Sequence, residues 1–440
     1  MKNKAKKLIL ILIYFLSPLI VIILFYSLNP SELNYPPVRQ LAYILGITAF
    51  VWLNYEFVLT SRIKFIDRIF GMDRVILFHI IMSGVSFQLA LVHGIIMFNI
   101  GENNLIQIAS GINILTQYII LMIIGAIFLH GAGVKIKKMK YNVAKNIHNL
   151  TIITTSFMLL HAALSNPVHE SPMLLIIFVL FYLLAILSWL NLKVFRIIKV
   201  KNNPYEVTEI IKETKAYWTL NLKSKNGKPM EFKPGQYSYL SFISQEISKE
   251  FHPFSFASSP AEKNIIRFTI KELGDYTRCI GKVKVGEIAY IEGPYGIFDA
   301  LNSTAQELVF IAGGSGITPF LSMLRYMKDT NNTRKATLIW GIRYPHELFL
   351  KDEFEEMKKT NPNLVIIPVV SDDDNWEGEC GFIDRDRLER LVPCEDPNEL
   401  IQKKDYYVCG PPLMVKIVRP ALKSMGINKN KRIHIEKFYR

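Results

Sequence analysis

Six long apolar runs occupy the first half of the chain. They extend over residues 8–28, 41–59, 75–100, 112–129, 147–165 and 173–192. Each is close to the ~20 residues that an α-helix needs to cross the hydrocarbon layer of a bilayer. The sequence therefore predicts a bundle of six transmembrane helices in residues 1–200. No small-residue cleavage site follows the first run, so it is expected to remain as a helix and not to be removed as a signal peptide.

Basic residues set the predicted orientation of these helices. Lysines and arginines are concentrated in residues 1–7, 60–74, 131–146 and 193–203, and the other loops carry almost none. Because basic residues near helix ends stay on the cytoplasmic side, both termini are predicted to lie in the cytosol and the protein to be multi-pass in the cell membrane. The net charge of +14 is explained by this topology and by attraction to the lipid surface. A nucleic-acid partner is not needed to explain it, and none is predicted.

The composition changes after residue 203. Short β-type runs separated by glycine, proline and charged residues predict a small antiparallel β-barrel at 204–300, and βα alternation predicts an α/β nucleotide-binding domain with a parallel sheet at 304–440. The four cysteines all follow the apolar half and form no close CxxC pair. This pattern favours a reduced cytosolic compartment and argues against a zinc or iron–sulfur site.

Four histidines lie inside the predicted helices. His79 and His93 belong to the third apolar run, and His148 and His161 to the fifth. Fourteen residues are nearly four helical turns, so His79 and His93 share a face about 21 Å apart. The thirteen-residue step from His148 to His161 rises about 19.5 Å but leaves one face of a straight helix, so a kink or bulge is required.

The third and fifth helices are predicted to run in the same direction across the membrane. His79 is then level with His148 at an inner depth, and His93 with His161 at an outer depth. Two axial imidazoles at each depth predict two haems suited to electron transfer. The alternative interpretation is that these histidines are core residues hydrogen-bonded to neighbours, and four at matched depths argue against it.

Four short motifs follow one another in the predicted barrel: KPGQY at 233–237, HPFSFAS at 252–258, GDYT at 274–277 and GPYG at 293–296. In this order they resemble the FAD-binding barrel of the ferredoxin–NADP reductase superfamily, in the version found in NADPH oxidases and ferric reductases. The resemblance implies that Phe254 packs against the flavin, that Ser255 lies near its N5 atom and that Thr277 meets its pyrophosphate. The other residues implied to bind FAD are His252, Pro253, Phe256, Ala257, Ser258, Lys271, Gly274, Asp275 and Tyr276.

A glycine-rich turn follows the predicted strand at 309–312 and opens a helix. Glycines let the backbone approach a pyrophosphate, and a helix N-terminus favours its charge. The turn resembles the NAD(P)H loop of the same family, which implies contacts from Gly313, Gly314, Ser315, Gly316, Ile317, Thr318 and Pro319. Arg343 follows the next strand, where no acidic residue is placed to hold a ribose, and this favours NADPH. An exposed surface arginine is the alternative, so NADH stays possible.

Two further motifs resemble the same family. Cys409, Gly410 and Pro411 belong to a CGPP motif that is implied to lie beside the nicotinamide. Glu436 and Phe438 are similar to a terminal E-x-F motif, whose aromatic ring covers the flavin, although two residues follow Phe438 here. The acidic residues at 372–379 lack the spacing of a calcium-binding loop, and no regulatory subunit is predicted.

The resemblance implies an NADPH oxidase or ferric reductase with FAD and two b-type haems. Hydride would pass from NADPH to FAD, and single electrons would then pass through the inner and outer haems to an external acceptor. Dioxygen, giving superoxide, and ferric chelate are both expected as acceptors. From a different class, the six helices could form a channel or scaffold that carries a vestigial reductase.

Overall fold

The computed structural model describes residues 2–100, 148–373, 375–392, 403–427 and 432–436. The chain divides into two compact units, Met1–Ile197 and Ile198–Arg440. The boundary lies close to the change in composition at residue 203. The apolar half and the half with predicted strands are therefore separate units of the fold.

The described part of the first unit is helical. Its helices are α1 (Lys2–Leu28), α2 (Pro37–Thr60), α3 (Lys64–Phe70), α4 (Met72–Ile100), α5 (Thr151–Ala163), α6 (Asn166–His169) and α7 (Pro172–Leu190). A π-helical turn at Asn191–Phe195 continues α7 towards α8 (Arg196–Lys201). Helices α2, α6 and α7 each have a proline in their first turn. Proline suits this position because its missing N–H would have no partner within the helix.

Among the residues that the structure describes, four helices are long and apolar enough to cross a membrane: Lys4–Leu28, Pro37–Thr60, Met72–Ile100 and Pro172–Lys201. Apolar side chains on their outer faces are exposed, for example Ile20 at 56% and Ile80 at 60%. This exposure is costly in water and favourable against lipid, so the helices indicate association with a membrane.

The predicted count of six membrane helices is not reached in the described residues. The run at 112–129 lies outside them. The run at 147–165 contains α5, which has 13 residues. A helix of this length spans about 20 Å, less than the ~30 Å of a hydrocarbon layer. Within the described part of the chain there are thus four candidate spans, where the whole sequence predicts six.

The second unit begins with a six-stranded antiparallel sheet. Its strands are β1 (Pro204–Lys212), β2 (Tyr217–Ser224), β3 (Tyr237–Ile243), β4 (His252–Ser255), β5 (Ile266–Lys271) and β6 (Ile288–Tyr295). The strand order is β4-β3-β6-β1-β2-β5. Leu220, Phe242 and Phe268 are fully buried in its core. The antiparallel arrangement predicted for the strands of this region is confirmed.

The rest of the second unit is a parallel sheet with flanking helices. The elements are β7 (Glu307–Gly313), α9 (Thr318–Asp329), β8 (Lys335–Ile342), α10 (Lys351–Thr360), β9 (Leu364–Val370), β10 (Glu379–Cys380), α11 (Arg385–Leu391), β11 (Lys404–Cys409), α12 (Pro412–Ser424) and β12 (Ile433–Glu436). The strand order is β10-β9-β8-β7-β11-β12. The chain winds from β7 towards one edge and then returns to the other side, so the order reverses between β7 and β11. In sheets of this kind ligands bind outside the carboxyl ends of the strands at such a reversal.

Candidate functional site

The structure brings the four membrane histidines together in the two predicted pairs. The ring centres of His79 and His148 are 6.2 Å apart, with an angle of 80° between the rings. The ring centres of His93 and His161 are 6.0 Å apart, at 75°. The interval from His148 to His161 is not one straight helix, because α5 begins only at Thr151, after Leu150 with φ −74° and ψ −5°. The helix is therefore interrupted at Leu150, within the interval where the sequence predicts a kink or bulge.

The partners of Nδ1 fix the orientation of two of these rings. Nδ1 of His79 lies 2.6 Å from Oε2 of Glu56, and Nδ1 of His93 lies 2.8 Å from the carbonyl oxygen of Ala42. A carbonyl oxygen can only accept, so Nδ1 of His93 carries the proton and Nε2 keeps its lone pair. A carboxylate favours the same tautomer in His79. Both rings are therefore prepared to bind a metal through Nε2.

The spacing of each pair fits a metal bound between two imidazoles. Nitrogen–metal bonds of about 2 Å would place the two ring centres roughly 6 Å apart. Among the described residues, no group of three or more His, Cys, Asp or Glu could hold a metal ion. Two ligands per site suit haem, because the macrocycle supplies the other four. The residues thus fit the group that the sequence predicts, and the ligation stays a prediction.

The predicted flavin residues lie on β4 and on the turn before the 3-10 helix Thr277–Lys282. The rings of His252 and Tyr276 are in contact, with centres 3.8 Å apart, and the ring centre of Phe254 is 6.5 Å from that of Tyr276. Nε2 of His252 also lies 3.1 Å from Oε2 of Glu250. Burial raises the pKa of Tyr276, and the Glu250 carboxylate raises it further. Tyr276 is therefore a neutral aromatic platform that supports the HPFS strand.

Thr277 closes the turn that precedes it. Its Oγ1 accepts hydrogen bonds from the N–H groups of Leu273 and Gly274, at 2.9 and 3.0 Å. These bonds hold the loop that contains Asp275 and Tyr276, and the side chain of Thr277 remains partly exposed. The structure thus gives Thr277 a structural task beside its predicted contact with a pyrophosphate.

Three residues predicted to bind FAD lie in the interior. Phe256, Ala257 and Ser258 are fully buried, whereas Pro253 on β4 is exposed. Phe256 stacks on Phe232 with ring centres 4.1 Å apart, and Oγ of Ser258 accepts a bond from the N–H of Arg267. These three residues therefore belong to the packed interior of the domain. Phe254 is better placed than these three to meet a ligand because it is only partly buried, whereas Ser255 is buried, at 6% exposed.

The glycine-rich turn and the CGPP motif lie against each other at the carboxyl ends of β7 and β11. A β-carbon added at Gly316 would stand 2.1 Å from the carbonyl oxygen of Cys409, and one added at Gly313 would stand 2.8 Å from Cδ of Pro411. Only bare backbone permits these approaches. The turn continues as the 3-10 helix Gly314–Ile317 into α9. Ile317, at the end of the 3-10 helix, and Thr318 and Pro319, the first residues of α9, are all buried. The two motifs therefore meet where the strand order reverses.

Cys409 ends β11 and is fully buried. It pairs in register with Glu436 on β12. Burial raises the pKa of the Cys409 thiol well above its ordinary value, and the Glu436 carboxylate adds to this effect. The side chain is thus a neutral thiol that fills space. Phe438, the predicted cover of the flavin, lies outside the described residues and stays a prediction.

Two acidic partners of the predicted site were not recognised from the sequence. Nε of Arg343 lies 2.8 Å from Oδ2 of Asp372, and Nζ of Lys271 lies 2.8 Å from Oε2 of Glu347. Asp372 follows β9, which pairs in parallel with β8, and Arg343 directly follows β8. The ends of neighbouring parallel strands meet at one edge, so the strand pattern was the signal that could have placed these two residues together.

Comparison with known proteins agrees with this architecture. Residues 214–339 match a family model described as FAD-binding domain, and residues 310–420 match one described as oxidoreductase NAD-binding domain. Residues 214–420 form a ferredoxin–NADP reductase-type dehydrogenase module. This module is a flavin- and nicotinamide-dependent oxidoreductase. Both matches begin after the first unit has ended, so the expectation for that unit rests on its own residues.

Several curated relatives resemble part of the chain. The reductase component of propane 2-monooxygenase from Rhodococcus jostii (strain RHA1) is 32% identical over 53% of this chain and 62% of its own length. In Haemophilus influenzae, one component of the Na(+)-translocating NADH-quinone reductase is 31% identical over 44% of this chain and 49% of its own length. The chain thus spans about half to three-fifths of these relatives. A solved Amycolatopsis cytochrome P450 reductase aligns at 24% identity with a TM-score of 0.47, over 54% of this chain and 69% of that one.

Proposed function

We propose that this chain is a membrane-embedded flavocytochrome that carries electrons from cytosolic NADPH, through FAD and two b-type haems, to an acceptor across the cell membrane. The four apolar helices support the membrane location, and the dehydrogenase module supports the use of a flavin and a nicotinamide coenzyme. The observation that carries the proposal is the approach of His79 to His148 and of His93 to His161, at 6.2 and 6.0 Å between ring centres. In this topology both termini and the dehydrogenase module are cytosolic.

The residues of the dehydrogenase module would bind and orient the two nucleotides. FAD, when bound, converts a two-electron hydride into single electrons. Phe254 would pack on the flavin, and Ser255 would lie near its reactive edge. The backbone of Gly313–Gly316 and the N-terminus of α9 would hold the coenzyme pyrophosphate. Cys409, neutral and buried, would leave room for the nicotinamide beside it.

His79 with His148, and His93 with His161, would each hold one haem. Haem held by two histidines would supply one-electron transfer and would leave no position on the iron for an acceptor. An acceptor would then be reduced without binding to the metal. Dioxygen, giving superoxide, is the proposed acceptor, and ferric chelate is the alternative within the same class.

A reduced-minus-oxidised absorption spectrum of the purified full chain tests whether haem is present. We expect two haems per chain. His93→Ala and His161→Ala should each lose one haem and the reduction of the external acceptor, while NADPH still reduces the flavin. His169→Ala, at the end of α6, is the matched control and should keep both haems. Two normal haems in both His93→Ala and His161→Ala would contradict the assignment.

The acceptor is tested separately. The purified protein is given NADPH under air, and under nitrogen with a ferric chelate, while superoxide and ferrous iron are measured. Superoxide formation sensitive to His93→Ala supports the oxidase. Ferric reduction alone would identify a ferric reductase.

A second candidate function is the delivery of electrons to a partner protein. The names of the two curated relatives describe parts of larger enzyme systems, and this observation favours it. A purified chain that contains FAD, lacks haem and reduces neither acceptor would support this candidate over the flavocytochrome.

A further inference from the structure

A buried glutamate connects three helices of the first unit. Glu56 on α2 is only 5% exposed. Its Oε1 accepts a hydrogen bond from the hydroxyl of Tyr14 on α1 at 2.9 Å, and its Oε2 lies 2.6 Å from Nδ1 of His79 on α4. A carboxylate inside an apolar bundle is costly unless it is hydrogen-bonded, and within a membrane helix it indicates a function. The two oxygens of Glu56 thus bond one tyrosine and one of the four histidines.

The two histidine pairs differ in this contact. Nδ1 of His93 lies 2.8 Å from a neutral acceptor, the carbonyl oxygen of Ala42. Hydrogen bonds to a charged acceptor are roughly twice as strong as those to a neutral one. A histidine that donates to a carboxylate is also a more basic metal ligand. His79 is therefore the more electron-rich ligand, and His93 the less electron-rich one.

We propose that Glu56 is a positioning residue that fixes the ring of His79 and makes the haem at the His79–His148 pair harder to reduce than the haem at the His93–His161 pair. This inference rests on the proposed function and deepens it. An electron-rich ligand and a nearby negative charge stabilise the ferric over the ferrous state, and hydrogen bonding around a ligand is a known determinant of haem potential.

The consequence is a direction for electron flow. One electron would pass from the haem held by His79 and His148, which would be oxidised, to the haem held by His93 and His161, which would be reduced. No proton or other reactant is needed for this exchange. With the lower potential at His79–His148, the equilibrium favours movement towards His93–His161. The asymmetry between a carboxylate and a carbonyl acceptor would thus drive electrons towards the external acceptor.

A potentiometric titration of the purified full chain, followed by haem absorption, tests the inference. Wild type should give two one-electron transitions. Glu56→Gln keeps the size and a hydrogen-bond acceptor but removes the charge. At a fixed applied potential it should increase the ferrous/ferric ratio of the haem with the lower potential about tenfold. This corresponds to a rise in that potential of about 59 mV for one electron. The higher potential should not change.

The matched control removes another buried carboxylate. Glu32 is 8% exposed, and its Oε2 lies 3.3 Å from Nη2 of Arg39. Glu32→Gln should leave the lower potential at its wild-type value. The inference is overturned if Glu56→Gln shifts neither potential, shifts both equally, or matches the shift of Glu32→Gln.

A second variant keeps the test usable if Glu56→Gln does not fold. Tyr14→Phe removes one donor from the carboxylate but keeps its charge, so the negative charge on Glu56 is less shared. The lower potential should then fall, opposite in sign to Glu56→Gln, with a matching change in the low-spin ferric resonance of one haem. A rise or no change overturns the inference. Wild-type protein without haem would instead overturn the proposed function itself.

Discussion

The imidazole of His93 on α4 lies against the bare Cα of Gly46 on α2. A β-carbon added at residue 46 would stand 2.8 Å from Nδ1 of His93. The same nitrogen lies 2.8 Å from the carbonyl oxygen of Ala42, one turn earlier on α2. A β-carbon does not approach another heavy atom so closely, so the missing side chain at residue 46 permits this hydrogen bond.

Gly46→Ala should therefore displace His93. The loss of a buried hydrogen bond, about 0.5–1.5 kcal/mol, adds to an overpacking cost of about 1–3 kcal/mol. We expect lower thermal stability and, on the proposed function, a fall from two haems towards one. Haem content and Tm of the purified chain are the measurements. Gly84→Ala is the control, because a β-carbon there meets nothing within 4 Å. If both variants keep wild-type haem content, the close approach at Gly46 does not position His93.

Gly316→Ala should block the proposed coenzyme site. The added β-carbon would stand 2.1 Å from the carbonyl oxygen of Cys409, which is backbone and cannot rotate away. We expect kcat/KM for coenzyme to fall about a hundredfold or more, equivalent to about 2.7 kcal/mol, with FAD content retained. Stopped-flow reduction of the flavin measures the first quantity, and flavin absorbance the second.

Gly314→Ala provides the graded comparison. Gly314 has φ +52°, and its added β-carbon would meet the hydroxyl of Tyr217 at an ordinary 3.6 Å. The Gly314→Ala substitution should therefore cost only the backbone strain of an alanine in the left-handed region, roughly 1–2 kcal/mol. Flavin reduction should be impaired less than in Gly316→Ala. Equal losses in the two variants would show that the contact with Cys409 is not the decisive one.

The sequence predicted the histidine pairs because helical rise converts residue spacing directly into depth. It required a kink between His148 and His161 but could not locate it, since no proline or glycine marks Leu150. Glu56 was missed although an ionisable residue in an apolar run was visible, because its partners Tyr14 and His79 lie on other helices. Local patterns give depth along one helix, whereas contacts between helices depend on how they pack.

In the second unit, motifs located the site but not the direction of each side chain. The resemblance implied FAD contacts along 252–258, yet the structure buries Phe256, Ala257 and Ser258 completely. The acidic residues at 372–379 were visible, but the pairing of Asp372 with Arg343 was not predicted, because the two are 29 residues apart and are brought together by the pairing of β8 with β9. The order of strands in the sheet determines which distant residues come into contact, and this order cannot be read from a local stretch of sequence.

Asp372 changes what is expected of coenzyme choice. The side chain of Arg343 is 69% exposed and bonds Asp372 through Nε. A guanidinium has further N–H groups, so a 2′-phosphate could still bind to Arg343. The phosphate and the Asp372 carboxylate would then compete for the same positive charge on Arg343. Arg343→Ala should lower the NADPH/NADH ratio of kcat/KM about ten- to a hundredfold, corresponding to ~1.5–3 kcal/mol.

Asp372→Asn should act in the opposite direction. An exposed ion pair contributes only about 0–1 kcal/mol, so the NADPH/NADH ratio should rise less than about tenfold. Steady-state kinetics with both coenzymes measure the two variants. An unchanged ratio in Arg343→Ala would mean that the residue is an exposed surface arginine that pairs with Asp372 and plays no part in coenzyme choice.

The last prediction concerns Arg325 on α9, which pairs with a glutamate on α10 and also bonds the HPFSFAS segment. Nε and Nη2 of Arg325 donate to the two carboxylate oxygens of Glu353 on α10, at 2.6 and 2.7 Å. Nη1 donates to the carbonyl oxygen of Ala257 at 2.6 Å. One turn earlier, Oγ of Ser322 donates to the carbonyl oxygen of Ser258 at 2.7 Å. The segment that follows Ser255 is therefore anchored to α9 at two successive carbonyls.

Acid should weaken this anchor in a defined way. Burial alone raises the pKa of Glu353, but the hydrogen bonds and charge of Arg325 outweigh it and hold the pKa below its ordinary value. A carboxyl group with a lower pKa in the folded state binds protons more readily when unfolded. It therefore adds stability above its unfolded pKa of about 4.3, and this stability is lost as the pH falls through the lower folded pKa.

Glu353→Gln should remove that acid dependence and, because it leaves Arg325 without its charged partner, cost about 3 kcal/mol at neutral pH. Urea denaturation of the full chain, followed by flavin release between about pH 3.5 and 7, measures both effects. Glu355→Gln on the same helix is the control: its side chain is 64% exposed and paired with Lys358, so the loss should stay within about 0.5 kcal/mol. If Glu353→Gln kept the wild-type slope in acid, the acid dependence would belong to other carboxylates and the anchor would be a neutral packing contact.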